Sequence, residues 1–142
     1  MKIVIIDYGA GNVFSVQNAL KRLGHTAIVS DNAGEIQCAD RVIFPGVGQA
    51  SAAMAQLKAK GLEGLIPELK MPVLGICLGM QLMCAQTEEE DTKGLGIFPI
   101  AVKKFEGDYK IPHMGWNNLY DLKTDLFDGI EKGERMYFVH SY

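Results

Sequence analysis

The first apolar block of the chain, residues 2–7, runs Ile3-Val4-Ile5-Ile6 without a polar interruption before Asp7. A β-branched run with no alternation is the pattern of a strand covered on both faces in a parallel sheet. Gly9 and Gly11 follow as turn residues. Asn12 then stands in a capping position ahead of Val13, Val16, Leu20 and Leu23 at helical spacing, and Gly24 supplies the stop. The unit then repeats. Residues 26–30 and 41–44 read as the next two strands, the second leading through Pro45-Gly46-Val47-Gly48 into an Ala-rich helix over 49–60 that Gly61 ends. A short helix over 62–69 and Met71-Pro72 precede a fourth strand, 73–76, which passes straight into a helix expected from Cys77 to about residue 85. Alternating strands and helices imply an α/β fold, doubly wound about a mainly parallel sheet with flanking helices.

Beyond Thr87 the texture changes. An acidic run (Glu88, Glu89, Glu90, Asp91) gives way to alternating segments such as residues 100–105, read as antiparallel strands added at the sheet edge. Neither a repeat, a low-complexity tract nor a linker-like change of composition divides the sequence, so residues 1–142 read as a single domain. The last segment, 136–142 (MYFVHSY), reads as a strand with nothing after it. Because a doubly wound sheet needs helices over both faces, the chain is expected to lack the C-terminal part of its domain.

Composition narrows the function classes. Apolar residues make up 48% of the 142 and charged residues 22%, an ordinary globular balance; 14 Lys plus Arg against 17 Asp plus Glu leave −3, with no basic stripe to meet nucleic acid. Neither a secretory leader nor an apolar run long enough for a membrane is visible, so a cytoplasmic protein is expected. Cys38, Cys77 and Cys84 lack the paired spacing of a zinc site, which fits reduced thiols.

Chemistry concentrates at Gly75-Ile76-Cys77-Leu78-Gly79, where a strand enters a helix through a turn with glycine two residues before and two after a nucleophile. Such an elbow holds its nucleophile in a strained backbone conformation and leaves no room for flanking side chains. It also sets the cysteine at a helix N-terminus, which favours thiolate. A buried structural cysteine is the plainer alternative, but it explains neither glycine. Cys38 and Cys84 have no such setting and read as core thiols, Cys84 two turns along the same helix. Attack on an amide creates an oxyanion, and two donor sources are at hand: the N–H of Leu78 and the Gly46, Val47, Gly48 loop, itself otherwise an ordinary βα turn. Gln81, four residues after Cys77, shares its helical face and carries an amide that both donates and accepts. The acidic run reads as a solvated face from which one carboxylate near the cleft could hold an α-ammonium group. Gly9-Ala10-Gly11 opens like a dinucleotide fingerprint, but its third glycine would fall at Phe14, and no P-loop is present. The seven methionines read as core filler.

DYGAGN at the start, PGVG at 45–48, GICLGMQ at 75–81, PHMGWN at 112–117 and YFVHSY at 137–142 together resemble the class I (triad) glutamine amidotransferases. Within them, DYGAGN and PHMGWN are similar to the glutaminase subunits of imidazole glycerol phosphate synthases, over the whole length given. The resemblance implies Cys77 as nucleophile, the 46–48 loop and Leu78 as oxyanion donors, and Gln81, Glu89 and the backbone around Ser141 and Tyr142 as holders of glutamine. It implies a heterodimer with a cyclase (synthase) subunit, which the regions of Asn12 and Trp116 would face; core packing is the alternative for the single tryptophan. Glutamine would yield glutamate and ammonia through a thioester, the ammonia passing to the partner, with no metal or organic cofactor. One departure stands out. The class relies on a His-x-Glu pair as general base and its orienter, and none of His25, His113 and His140 has an acid two residues on. Three other readings follow: a glutaminase domain of another class I amidotransferase, a non-catalytic interaction module of the same fold, or a flavodoxin-like binding domain, for which the glycines around Cys77 are superfluous.

Overall fold

β1 (Ile3–Ile6) is buried along its whole length because both of its faces are used. In the computed structural model, Ile3 and Ile5 pack with Ile43 beneath Val13, Val16 and Leu20 of α1 (Val13–Arg22). Val4 and Ile6 point the other way, into the larger core with Val42, Phe44, Ile36 and Leu57. Ile36 belongs to α2 (Ala33–Gln37) and Leu57 to α3 (Ala50–Ala59). Each such side chain contributes about 1.5–3 kcal/mol relative to exposure, and a strand flanked on both sides needs apolar residues at every position. The missing alternation in 2–7 is thereby explained.

The four-stranded sheet has the order β2-β1-β3-β4, with β2 (Ala27–Ser30), β3 (Arg41–Gly46) and β4 (Val73–Cys77), all parallel. From β1 the chain steps outward to β2, then returns past β1 to β3 and on to β4. The direction reverses between β1 and β3, and α/β sheets take their ligands at the carboxyl ends of the strands beside such a reversal. Residues 7–12, 46–49 and Cys77 leave the strands at that end.

Residues 1–108 and 110–142 are described, and they fall into two compact units, 1–103 and 104–142. Several expectations change. The helix expected over 62–69 is a single 3-10 turn, Ile66–Glu68, because Pro67 has no N–H to continue a ladder. α2, capped by the Asn32 side chain through Glu35 N–H (3.0 Å), was not expected at all. The helix after Cys77 is only α4 (Leu78–Leu82); β5 (Cys84–Thr87) follows immediately. Here pairing overrides the helical pattern: β5 lies between β6 (Thr92–Lys93, antiparallel) and β7 (Phe98–Val102, parallel) in a separate three-stranded sheet. The strands expected at the main sheet's edge therefore form sheets of their own. In the second unit, β8 (His113–Asn118) and β9 (Arg135–His140) make a two-stranded antiparallel ribbon with His113 opposite His140 and Trp116 opposite Tyr137. Among the described residues, no helix is long and apolar enough to cross a membrane.

Candidate active site

Cys77 ends β4 and caps α4 in one residue, with φ 53° and ψ −120° and no side-chain cap bond. A non-glycine residue in such a conformation costs roughly 1–3 kcal/mol and persists only where its surroundings over-determine it. Two glycines supply that determination. A Cβ on Gly75 would lie 2.6 Å from Met80 Cα and 2.7 Å from Met83 Sδ; one on Gly79 would overlap the Phe44 carbonyl oxygen. The first turn of α4 can thus fold back against β4 and β3 only because both positions lack side chains. Cys77 itself is exposed, so the strained residue is open to solvent.

The parallel register places Gly46 directly opposite Cys77. Gly46 is as tightly enclosed, since a Cβ there would meet Gly79 N at 2.6 Å and Tyr8 Oη at 2.7 Å. Pro45 and Gly46 prove to be the end of β3 and not loop; the turn is Val47 and Gly48, both exposed, with Gly48 at φ 99°. Leu78 buries its side chain while its N–H, first in α4, has no intrahelical acceptor. The Leu78 N–H and the backbone of Gly46 therefore both adjoin the cysteine. Gln81 lies in α4, half-buried.

The acidic run is not simply a solvated face. Glu89 is half-buried, and its Oε2 accepts from the Ala50 N–H at 2.9 Å, capping α3, whose own N-cap residue Gln49 makes no side-chain cap bond. Glu90 accepts from Gln49 Nε2 at 3.0 Å and from the Ser51 hydroxyl. A carboxylate at a helix N-terminus meets free N–H groups and the positive end of the helix dipole.

Tyr8 was missed by the sequence reading, which took DYGAGN as a turn and a family motif and gave Tyr8 no role. It is 1% exposed and packs on Phe44 at 5.4 Å between ring centroids, with its hydroxyl against Gly46. That hydroxyl has no hydrogen-bond partner among the described residues. Burial first, and then the neighbouring Cys77 charge, hold the phenol well above the ordinary tyrosine range, so it stays protonated. The sequence signal available was a polar aromatic between an all-apolar strand and a glycine turn.

Remaining candidates separate by unit. Asn12 is exposed and caps α1, its Oδ1 accepting from Ser15 N–H at 3.1 Å. Trp116, on β8, is 59% exposed and meets Tyr137 edge-on at 5.6 Å, so among the described residues it is not packed into a core. Ser141 and Tyr142 follow β9 in the same unit; the Ser141 carbonyl accepts from Phe105 N–H at 2.9 Å and the Tyr142 backbone oxygen from His140 Nδ1 at 2.8 Å. His113 bonds Asn117 through Nε2 at 2.6 Å. Of the other thiols, Cys84 is buried and burial pushes it up, as a core thiol should be, but in β5 and not α4; Cys38 is exposed, contrary to the core reading. The methionine expectation holds only in part: Met83 is buried and Met54 and Met71 pack against the core, whereas Met1, Met80, Met114 and Met136 are exposed. Among the described residues, no three His, Cys, Asp or Glu side chains are gathered as a metal would need.

A strained cysteine between two obligatory glycines, flanked by backbone donors at the carboxyl ends of a parallel sheet, is the arrangement of an acyl-transfer nucleophile. The sequence profile described as "Glutamine amidotransferase class-I" matches residues 4–142, and the chain belongs to that family. It is 52% identical to the imidazole glycerol phosphate synthase subunit HisH of Bacteroides fragilis, covering 100% of this chain and 74% of that one. The HisH subunit of Moorella thermoacetica is 49% identical, with 99% and 69% covered. Among solved structures, one described as a glutamine amidotransferase superposes with a TM-score of 0.73 at 18% identity over 96% of this chain and 70% of that one. The likeness bears out the expected α/β fold.

Proposed function

We propose that this chain is the glutaminase part of an imidazole glycerol phosphate synthase, with Cys77 as its nucleophile. The observation that carries the chemistry is Cys77 at φ 53° locked between Gly75 and Gly79; what favours this branch of the family is the high identity with HisH subunits along the full chain. The thiolate attacks the side-chain carbonyl carbon of glutamine, and the oxyanion that forms is met by the N–H groups of Leu78 and the 46–48 segment. As the carbonyl re-forms, the C–N bond breaks and nitrogen leaves with a proton as ammonia, giving a γ-glutamyl thioester. Water then adds to the thioester, releasing glutamate and restoring the thiolate. On the first unit, Gln81 and Glu89 are the residues proposed to hold the amino-acid end of glutamine. The two compact units serve one amidotransferase domain, a reading supported by a family match that spans both.

The leaving nitrogen and the attacking water both need a proton carrier. With no His-x-acid pair in residues 1–142, this chain alone is expected to turn over glutamine ~10²–10⁴ more slowly than an enzyme holding an oriented base. An activated γ-ester, whose leaving group needs no proton, should still acylate Cys77. A steady-state assay of glutamate release checks the first statement, and turnover at a full amidotransferase rate would mean that His113 or His140 serves as base.

Ammonia is useful only while unprotonated, so a cyclase subunit is the partner. Trp116 and Tyr137, side by side and exposed, form the aromatic anchor of that contact; Asn12, exposed at the start of α1, is a separate candidate contact on the first unit. A tryptophan anchor is typically worth about 2 kcal/mol or more, roughly thirtyfold in Kd. Titrating the cyclase subunit with wild-type and Trp116→Ala chains tests this; equal affinities would remove Trp116 from the interface.

A further inference from the structure

Residues 87–92 fold into a turn with an unusual cost. Glu90 and Asp91 both take left-handed backbone conformations, at φ 53° and 48°, where a non-glycine side chain is strained. The turn is held on all sides. Thr87 Oγ1, on a buried threonine, accepts from Glu89 N–H at 3.2 Å; the hydroxyl of Thr92, also buried, donates to the Glu89 carbonyl at 2.7 Å; Gln86 Nε2 donates to Asp91 Oδ1 at 2.5 Å. A surface loop with no duty has no reason to keep two strained residues. What the strain achieves is to present two successive carboxylates to the start of α3: Glu89 on Ala50 N–H, Glu90 on both Gln49 and Ser51. Gln49 is the residue that follows Gly48.

We propose that Glu90 is a positioning residue for the oxyanion cradle: its grip on Gln49 and Ser51 fixes the first turn of α3 and, through it, the Gly46–Gly48 segment opposite Cys77. This rests on the reading of Cys77 as nucleophile and of 46–48 as donors. Gly46 is fixed at the end of β3, but the Val47–Gly48 turn has little else to hold it on the helix side. Val47 and Gly48 are exposed, Gly48 takes a conformation open to many alternatives, and α3 begins without a cap from its own N-cap side chain. An oxyanion donor acts by being in place before charge develops, so a segment of this kind needs an external brace. Glu89 supplies the bond to the helix backbone and Glu90 the bonds to the two side chains on either side of it.

The test separates positioning from folding. Purified chain is mixed with the γ-(4-nitrophenyl) ester of glutamic acid, and the Cys77-dependent burst of nitrophenolate is timed; alkylation by iodoacetamide, a displacement that forms no oxyanion, and Tm are measured in parallel. Glu90→Gly removes the carboxylate while suiting the left-handed backbone, so Tm and alkylation should match the parent. The burst rate should fall about tenfold, less than the ~10²–10³ that follows outright loss of a donor. Ser51→Ala should lower it in the same direction, and the double variant should be no slower than Glu90→Gly, as expected of residues acting as one clamp. A burst rate in Glu90→Gly within twofold of the parent overturns the proposal, as does a fall matched by equal losses in alkylation rate and Tm. A parent chain whose burst survives Cys77→Ser overturns the nucleophile reading itself, and the clamp with it.

Discussion

Two strand-to-helix turns leave the same end of the same sheet and solve the same problem differently. After β1, the chain spends six residues, 7–12, on the passage: Asp7 Oδ1 accepts from Gly9 N–H at 3.2 Å, Gly9 takes φ 95°, and Asn12 caps a ten-residue helix with its side chain. After β4 it spends none. Cys77 is strand end and N-cap together, its side chain caps nothing, and the helix it starts has five residues. The first turn distributes its conformational demands over residues suited to them, whereas the second concentrates them on one residue that is not. A turn built for stability alone resembles the first. The second is held by neighbours, Gly75, Gly79 and Gly46, and what it gains is a thiol that is exposed and free of any capping duty.

The comparison can be broken from either side. The largest effect is expected from Cys77→Ser, which should lower thioester formation from an activated γ-ester on the order of 10⁴-fold or more while circular dichroism and Tm stay unchanged. Gly79→Val comes next. Its Cβ would overlap the Phe44 carbonyl oxygen, which is backbone and cannot step aside, so a loss of about 3 kcal/mol is expected in denaturant unfolding, together with loss of acylation. Asn12→Ala, at the first turn, should cost only about 1 kcal/mol and leave Cys77 acylation untouched. Tyr8→Phe links the two turns, because Tyr8 leaves β1 but lies against the elbow. Removing an unpartnered buried hydroxyl should leave stability equal or raise it by about 1 kcal/mol, read as an unchanged or higher Tm.

The smallest effect concerns pH. Lys60 Nζ braces the first turn by donating to the Asp7 carbonyl at 2.8 Å and to Asp31 at 2.9 Å, and its hydrogen bond and charge hold the Asp31 carboxyl below its usual range. A carboxyl lowered in the folded state contributes stability that is present above its unfolded pKa and is lost as pH falls through the folded value. Tm of Asp31→Asn between pH 6 and pH 3 should therefore fall slightly less steeply than that of the parent.

Much of this contrast was legible in the sequence. β1, α1, β3, α3 and β4 follow from apolar runs, capping residues and glycine stops, and the elbow from the spacing of Gly75, Cys77 and Gly79, because these features are local. What was not legible depends on distant partners. The apolar pattern over 77–85 suits a helix as well as it suits α4 followed by β5, and only pairing with β7 decides between them. Glu89 and Glu90 lie 39 residues from Ala50 and Ser51, so nothing local distinguishes a cap from a solvated acidic run. Cys38 follows the short α2, whose five residues are too few to show periodicity. Tyr8 needed the β3 register before its place behind Gly46 was apparent.

If the strain at Cys77, and not mere exposure of a thiol, makes the proposed nucleophile, Cys38 provides a control within the same chain because it too is exposed. A glutamine analogue bearing a diazoketone in place of the amide is incubated with the chain, and the product is read by intact mass and peptide mapping. A single adduct is expected, on the Cys77 peptide, slowed by added glutamine. Labelling of Cys38 at a comparable rate, or labelling of Cys77 that glutamine does not slow, would contradict it.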